Sequence, residues 1–229
     1  MAGVAPGWRC WEVGGGSGGI GRWLSDRVGA DGSVLVTDID TRWLTDDDRD
    51  NLTVRQHDVV AEEPPAGGFD LIHARLVLIH LPQRHAVLDR LISSLKPGGR
   101  LVLEEFDLRH PLATQAGHRA EFDAVQDAFL RVMTTREVDI DWARSLPENF
   151  AARDLDDVHV HTHTILWRGG SPEIQLYRVN VEQVAADLAT EGISAQALDD
   201  FYALLGNPAF TAWSHPLVSI SAARPRLCR

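Results

Sequence analysis

Short apolar runs alternate with helix-patterned segments through the first 107 residues. That alternation leaves few folds open, because repeated strand–helix–strand units bury their apolar faces as a parallel sheet covered by helices. The runs lie at residues 9–13, 33–37, 53–57, 69–73 and 100–106. Ser33-Val34-Leu35-Val36 and Leu101-Val102-Leu103 are continuously apolar, as strands buried on both faces are. Between the runs the pattern predicts helices over 18–28, near 42–49, and from Pro82 onward. The last has Val87, Leu88, Leu91, Ile92 and Leu95 at helical spacing and stops at Lys96-Pro97-Gly98-Gly99. After Asp107 the pattern changes to longer helices, one presenting Phe122, Val125, Phe129 and Val132, another Ile174, Tyr177, Val181, Val184 and Leu188. Ser171-Pro172-Glu173 marks a helix start, and the β-like runs at 158–167 and 217–223 are expected to close the sheet. The expectation is a single α/β domain over 1–229, doubly wound, with no internal repeat and no linker.

The first strand runs directly into Gly14-Gly15-Gly16-Ser17-Gly18-Gly19-Ile20-Gly21, a glycine loop that opens a helix. Glycine permits positive φ and close approach of a ligand to the backbone, and a helix N-terminus offers unpaired N–H groups. Gly14, Gly16 and Gly19 also satisfy a G-x-G-x-x-G dinucleotide fingerprint, so the loop alone leaves two ligand classes open. Glu12, two residues before the first glycine, would repel a pyrophosphate and suits a ligand carrying an ammonium. Asp38 ends the second strand 24 residues after Gly14, where a carboxylate can accept both hydroxyls of a ribose. Asp58 ends the third strand, placed to accept from an exocyclic adenine amine.

In these segments the chain resembles class I S-adenosylmethionine-dependent methyltransferases, in particular the small-molecule group that includes ubiquinone and menaquinone methyltransferases. Glu12-Val13-Gly14-Gly15-Gly16-Ser17-Gly18 is similar to their first motif, Val36-Thr37-Asp38-Ile39-Asp40 to the second and His57-Asp58-Val59 to the third. Phe69 to Arg75 with Leu78-Ile79-His80-Leu81-Pro82 resembles the fourth-strand segment, and Leu95 to Leu101 the turn into strand five. The resemblance implies a seven-stranded, mostly parallel sheet with an antiparallel last strand and S-adenosylmethionine as methyl donor, leaving as S-adenosylhomocysteine. It implies that Gly14, Gly16 and Gly18 pass the methionine portion and that Glu12 orders the loop and the amino group. It further implies that Asp38 holds the ribose, that Ile39 and Val59 sandwich adenine, that Asp58 takes its amine, and that the Ala74 backbone lies near the methionine. On this basis 1–107 is the cofactor-binding half and 108–229 a helical substrate cover with two terminal strands. Family members usually carry helices before strand one, and here eight residues precede it, so those helices are expected to be missing, through a shortened gene, a truncated chain or a lid supplied by a partner subunit.

Methyl transfer from a sulfonium needs position, a dry pocket and, for some acceptors, a base. His80 is the candidate base because its proton affinity suits neutral pH, against packing in a short 76–81 helix. Glu105, Asp107 and His110 follow strand five and either orient the acceptor or are solvated loop residues. Aromatic side chains at Trp142, Trp167, Tyr177, Phe201, Tyr202 and Trp213 suggest either an apolar acceptor or a helical core. His159, His161 and His163 alternate along one strand, but no further ligand accompanies them and no metal is expected. With 22 Lys and Arg against 33 Asp and Glu, the net charge of −11 argues against nucleic acid as a partner. No apolar run is long enough to span a bilayer. Two cysteines, Cys10 and Cys228, make no disulfide framework, so a cytoplasmic enzyme without membrane partners is expected, and a homodimer stays open. Two rivals remain: a nicotinamide-dependent oxidoreductase, which leaves Glu12 and Asp58 unexplained, and a non-catalytic cofactor-binding or scaffold homologue.

Overall fold

The computed structural model describes residues 3–44, 48–109 and 116–226, so His110 and Cys228 lie outside the described residues. The chain divides into two compact units, one formed by 1–105, 142–161 and 218–229, the other by 106–141 and 162–217.

The first unit is built on a seven-stranded sheet. Its strands are β1 (Arg9–Val13), β2 (Ser33–Asp38), β3 (Leu52–Gln56), β4 (Phe69–Arg75), β5 (Leu95–Phe106), β6 (Asp156–His163) and β9 (Leu217–Ala223), in the spatial order β3-β2-β1-β4-β5-β9-β6. β1 to β5 pair in parallel. β9 runs the other way along β5: Gly98 and Gly99 exchange backbone hydrogen bonds with Arg224. The expected doubly wound sheet with a reversed last strand is therefore present. Its helices are α1 (Gly19–Val28), α2 (Arg84–Ser94) and α4 (Trp142–Ala151).

Local sequence explains how α1 seats. Gly18, at φ 80°, turns the chain into the helix, and Gly29, at φ 67°, ends it. Leu24 and Val28 pack on Cys10, Val34, Val36 and Leu71 of the sheet. A Cβ on Gly21 would stand 2.4 Å from Val36 Cγ2, so only glycine lets the helix lie this close to β2. Cys10 is buried in this layer, and desolvation pushes its thiol up to about 12. It behaves as the small hydrophobe its setting in the sequence suggests.

Three expectations are corrected here. The 158–167 run is two strands: β6 lies at the edge of the large sheet, while β7 (Leu166–Arg168) pairs with β8 (Thr211–Trp213) as a separate ribbon. Near residue 42, where a helix over 42–49 is expected, there is a 3-10 turn, Thr41–Trp43, capped by the Asp40 side chain and followed by an extended Leu44, and 45–47 lie outside the described residues. β5 begins at Leu95, and the Pro97-Gly98-Gly99 stretch is carried within it as an irregularity, with Gly98 at φ 81°. Every residue of β6 is exposed, the three alternating histidines included, and among the described residues no group of three metal-ligating side chains exists.

The second unit packs α3 (Arg119–Thr135), α5 (Pro172–Glu182), α6 (Ala185–Thr190), α7 (Ala195–Gly206) and the β7–β8 ribbon around Phe122, Trp167, Tyr177, Phe201 and Phe210. Trp167 stacks on Tyr177 at 5.5 Å between ring centroids. The Tyr177 hydroxyl donates to Gln126 Oε1, and Gln126 Nε2 lies 3.2 Å from His215 Nε2. Of the aromatic set, Trp167, Tyr177 and Phe201 are core of this unit, Trp142 belongs to the first, and Trp213 is exposed. Gly169 is the most crowded of this unit's described glycines, because a Cβ there would lie 1.8 Å from the Asn207 carbonyl oxygen. Backbone cannot swing aside as a side chain does, so Gly169→Ala is expected to destabilise by about 1–3 kcal/mol. Urea unfolding followed by Trp fluorescence checks it. No helix among the described residues is long and apolar enough to cross a membrane.

Candidate active site

The carboxyl ends of β1, β2, β3 and β4 meet around one cavity of about 280 Å³. That is just below the ~300–1,000 Å³ range of ligand pockets. An open parallel sheet is expected to bind ligands at this edge. Val13 and Gly14 come from β1 and its loop, Thr37, Asp38 and Ile39 from the end of β2 and the residue after it, His57, Asp58 and Val59 from the turn after β3, and Arg75, Leu76, Val77, His80 and Leu81 from the end of β4 and the segment that follows it.

The glycine loop is fixed from below. Gly14 and Gly15 both donate their N–H to the Thr37 carbonyl, at 2.8 and 3.0 Å, and Gly18 donates to the Gly15 carbonyl. Gly14, Gly16 and Gly18 all have positive φ. A Cβ on Gly14 would fall 2.3 Å from Val77 Cγ2, whereas one on Gly16 would meet nothing within 4 Å. Asp38 ties loop to strand: Oδ2 accepts from the Gly16 N–H at 2.9 Å and Oδ1 from the Asp40 N–H at 3.0 Å. Asp58 Oδ1 accepts from the Val60 and Ala61 N–H groups, which shapes the turn after β3. Ile39, 65% exposed on the cavity rim, is a large apolar side chain left uncovered, with Val59 half-buried in the same lining.

Of the residues singled out in the sequence, Gly14, Asp38, Ile39, Asp58, Val59 and His80 line the cavity together. Gly16 and Gly18 shape its loop without lining it, and Ala74 is fully buried just before the lining segment. His80 sits in a 3-10 turn, Leu78–His80, and partial desolvation together with the nearby Arg84 holds its pKa below the usual histidine range. The ring is therefore neutral at pH 7, the form that accepts a proton.

Glu12 stands elsewhere. Residues of a strand alternate faces, and Glu12 shares with Cys10 the face that α1 covers, not the cavity. Its carboxylate, 2% exposed, contacts His73 Nδ1 at 2.7 Å, and the other His73 nitrogen lies 3.4 Å from Glu104 Oε2. The parallel register brings Glu12 beside His73 and Arg75 beside Glu104, so the cluster spans three adjacent strands. Burial disfavours a charged His73, but the two carboxylates outweigh it and raise its pKa to about 9. Burial raises the Glu12 carboxyl against the pull of His73. His73 was not singled out in the sequence; its position two residues from Leu71 on β4 is the signal that would have put it on the Glu12 face. Glu105 is not a solvated loop residue but a fully buried strand residue. Its alternation with Leu101 and Leu103 is the clue in the sequence.

With that geometry in place, residues 5–159 match the model of a family described as a methyltransferase domain. The chain belongs to this family. Methyltransferase str2 of Strobilurus tenacellus is 34% identical to this methyltransferase domain over 114 residues, 47% of the chain and 40% of that protein. The ubiquinone/menaquinone biosynthesis C-methyltransferase UbiE of Laribacter hongkongensis is 33% identical over 111 residues, 46% of each. The chain thus spans less than half the length of these curated relatives. Among solved structures it superimposes on phosphoethanolamine N-methyltransferase 2 of Haemonchus contortus, in complex with S-adenosyl-L-methionine, with TM-score 0.60 and 18% identity, covering 98% of this chain and 50% of that one. YcgJ of Bacillus subtilis gives TM-score 0.61 at 14% identity, covering 98% and 95%. At those identities the likeness is one of fold.

Proposed function

We propose that the cavity binds S-adenosylmethionine and that the domain transfers its methyl group to a small-molecule acceptor. The observation that carries this reading is the convergence of Asp38, Asp58 and the Gly14 backbone on one cavity that Ile39 and Val59 also line. When bound, the sulfonium supplies an electrophilic methyl group open to in-line displacement. The residues present suit the rest of such a molecule. Each Asp38 oxygen accepts one backbone N–H and a carboxylate oxygen can accept two, which leaves acceptor sites for the ribose hydroxyls. Ile39 and Val59 offer apolar surfaces to a flat base, and Asp58 retains acceptor capacity for its exocyclic amine. The loop at Gly14, Gly16 and Gly18 and the β4 backbone at Ala74 flank the path of the amino-acid portion. Glu12 contributes by holding the end of β1 through His73. Neutral His80 at the cavity wall is positioned to take a proton from an acceptor that must lose one.

The name of the UbiE relative, a ubiquinone/menaquinone biosynthesis C-methyltransferase, supports a small organic acceptor, and a net charge of −11 weighs against a nucleic acid. Calorimetric titration with S-adenosylhomocysteine, with NAD and NADP in parallel, tests the reading. Saturable binding of S-adenosylhomocysteine alone is expected; binding of a nicotinamide cofactor alone would overturn it. Asp38→Ala removes charged hydrogen bonds to loop and ligand together, at ~1.5–3 kcal/mol. Affinity is expected to fall roughly 10- to 150-fold. Unchanged affinity would remove Asp38 from the ribose.

A further inference from the structure

We propose that Glu105 is a positioning residue for this cavity, a buried carboxylic acid that pins the 3-10 turn forming one of its walls. Glu105 is 0% exposed, and its Oε1 accepts from the Leu78 N–H at 3.0 Å and the Ile79 N–H at 3.3 Å. The next amides along the turn donate within it: His80 N–H to the Val77 carbonyl and Leu81 N–H to the Leu78 carbonyl. Just before them, Leu76, at φ 55°, donates to the Glu104 carbonyl. A left-handed leucine is held only where its surroundings over-determine it, and consecutive strand residues do so here, Glu104 through its backbone and Glu105 through its side chain. The segment they hold, 76–81, carries four lining residues, Leu76, Val77, which packs against Gly14, His80 and Leu81. Glu105 itself does not line the cavity, so it acts on the site through the turn. The inference rests on the reading of the cavity as a cofactor site only for its binding consequence.

The surroundings of the carboxyl bear on its charge. Buried Leu103 precedes it on the same face of β5, with buried Ala74 the registered neighbour of Leu103 on β4. The Trp142 indole of α4 is the polar side chain against it. The titratable groups nearby are His80 on the turn, and Arg84 and His85 of α2, whose side chains lie against the Trp142 ring at 6.0 and 5.4 Å. Burial pushes the Glu105 carboxyl up to about 8, offset in part by the turn amides and the indole. At neutral pH the group is mostly protonated and still accepts at Oε1.

Two substitutions separate positioning from packing. Glu105→Gln keeps the acceptor without the titration, and Glu105→Leu keeps the bulk without the acceptor. In hydrogen exchange on the ligand-free protein, Glu105→Leu is expected to lose protection at Leu78 and Ile79 by tenfold or more, while Glu105→Gln stays within a few-fold of the parent. S-adenosylhomocysteine affinity should follow the same order, Leu well below Gln. If Glu105→Leu keeps both protection and affinity, or if Glu105→Gln loses both, the proposal is overturned. Should Glu105→Leu not fold, hydrogen exchange on the parent and Glu105→Gln decides: strong protection at Leu78 and Ile79 in both is expected, and exchange of these two amides at the unprotected rate in the parent overturns the proposal. Failure of the parent to bind S-adenosylhomocysteine would count against the cofactor reading and leave the exchange result standing by itself.

Discussion

His73→Leu should lower the unfolding free energy by ~3–5 kcal/mol at pH 7, the cost of removing one partner from a buried ion pair. Leucine fills similar space, but it leaves Glu12 and Glu104 on one face with no cation between them. Arg75 lies 3.9 Å from Glu104 and on the outer side of the cluster, half in solvent, so it does not replace the imidazolium. Part of the loss will be recovered by protonation of Glu12, and Glu12→Gln in the His73→Leu background should restore stability where it would cost stability in the parent. The same cluster sets an alkaline limit. Because the folded state raises the His73 pKa from 6.5 to about 9, its contribution is full below about 6.5 and is lost as pH rises through 9. At 1.36 kcal/mol per unit the contribution is at most about 3 kcal/mol. Urea midpoints across pH 6 to 10 measure it. A flat profile in the parent, or a His73→Leu loss below about 1 kcal/mol, would show that the imidazole is uncharged.

Gly14→Ala should weaken S-adenosylhomocysteine binding by tenfold or more. The substitution forces a side chain into left-handed backbone at φ 68°, at ~1–2 kcal/mol. It also drives Cβ against Val77, 2.3 Å from its Cγ2, where relief requires the wall of the cavity to move. The two costs act on the same two segments, so the effect should fall mainly on affinity. Gly19→Ala is the control: that glycine is helical, has ordinary φ, and its Cβ would meet nothing within 4 Å. Equal affinities for both variants would place the ligand away from the loop.

The framework was legible because its signals are local and repeated. Strand β1 and strand β9 follow the apolar runs residue for residue, and α1 begins one residue inside the expected range, since Gly18 serves as its cap. The cavity residues Asp38 and Asp58 could be found because both lie at strand ends, where parallel topology gathers side chains at one edge. The side chains within strands were harder. Which face Glu12 points to depends on the pleat and on α1 lying over Cys10, and neither is written in a motif. His73, Glu104 and Glu105 sit in runs that look like ordinary strand, and their partners are up to 61 residues away in the chain. The 158–167 run reads as one strand because nothing in its alternation marks the point after His163 where it leaves the large sheet.

The sheet order also dictates when its pieces can meet. Among the described residues β6 borders β9 and no other strand, yet β9 is the last of these strands to be made, roughly fifty residues after β6 has left the ribosome's active centre. At ~5–20 residues per second, the strand waits for about 3–10 s with Val158 and Val160 and its backbone edge unpaired. The two aspartates that open it, Asp156 and Asp157, and its three alternating histidines are the kind of charge and polarity that discourage a waiting edge from joining a neighbouring chain. Selection on those five side chains would then act during synthesis, before there is a folded molecule to stabilise.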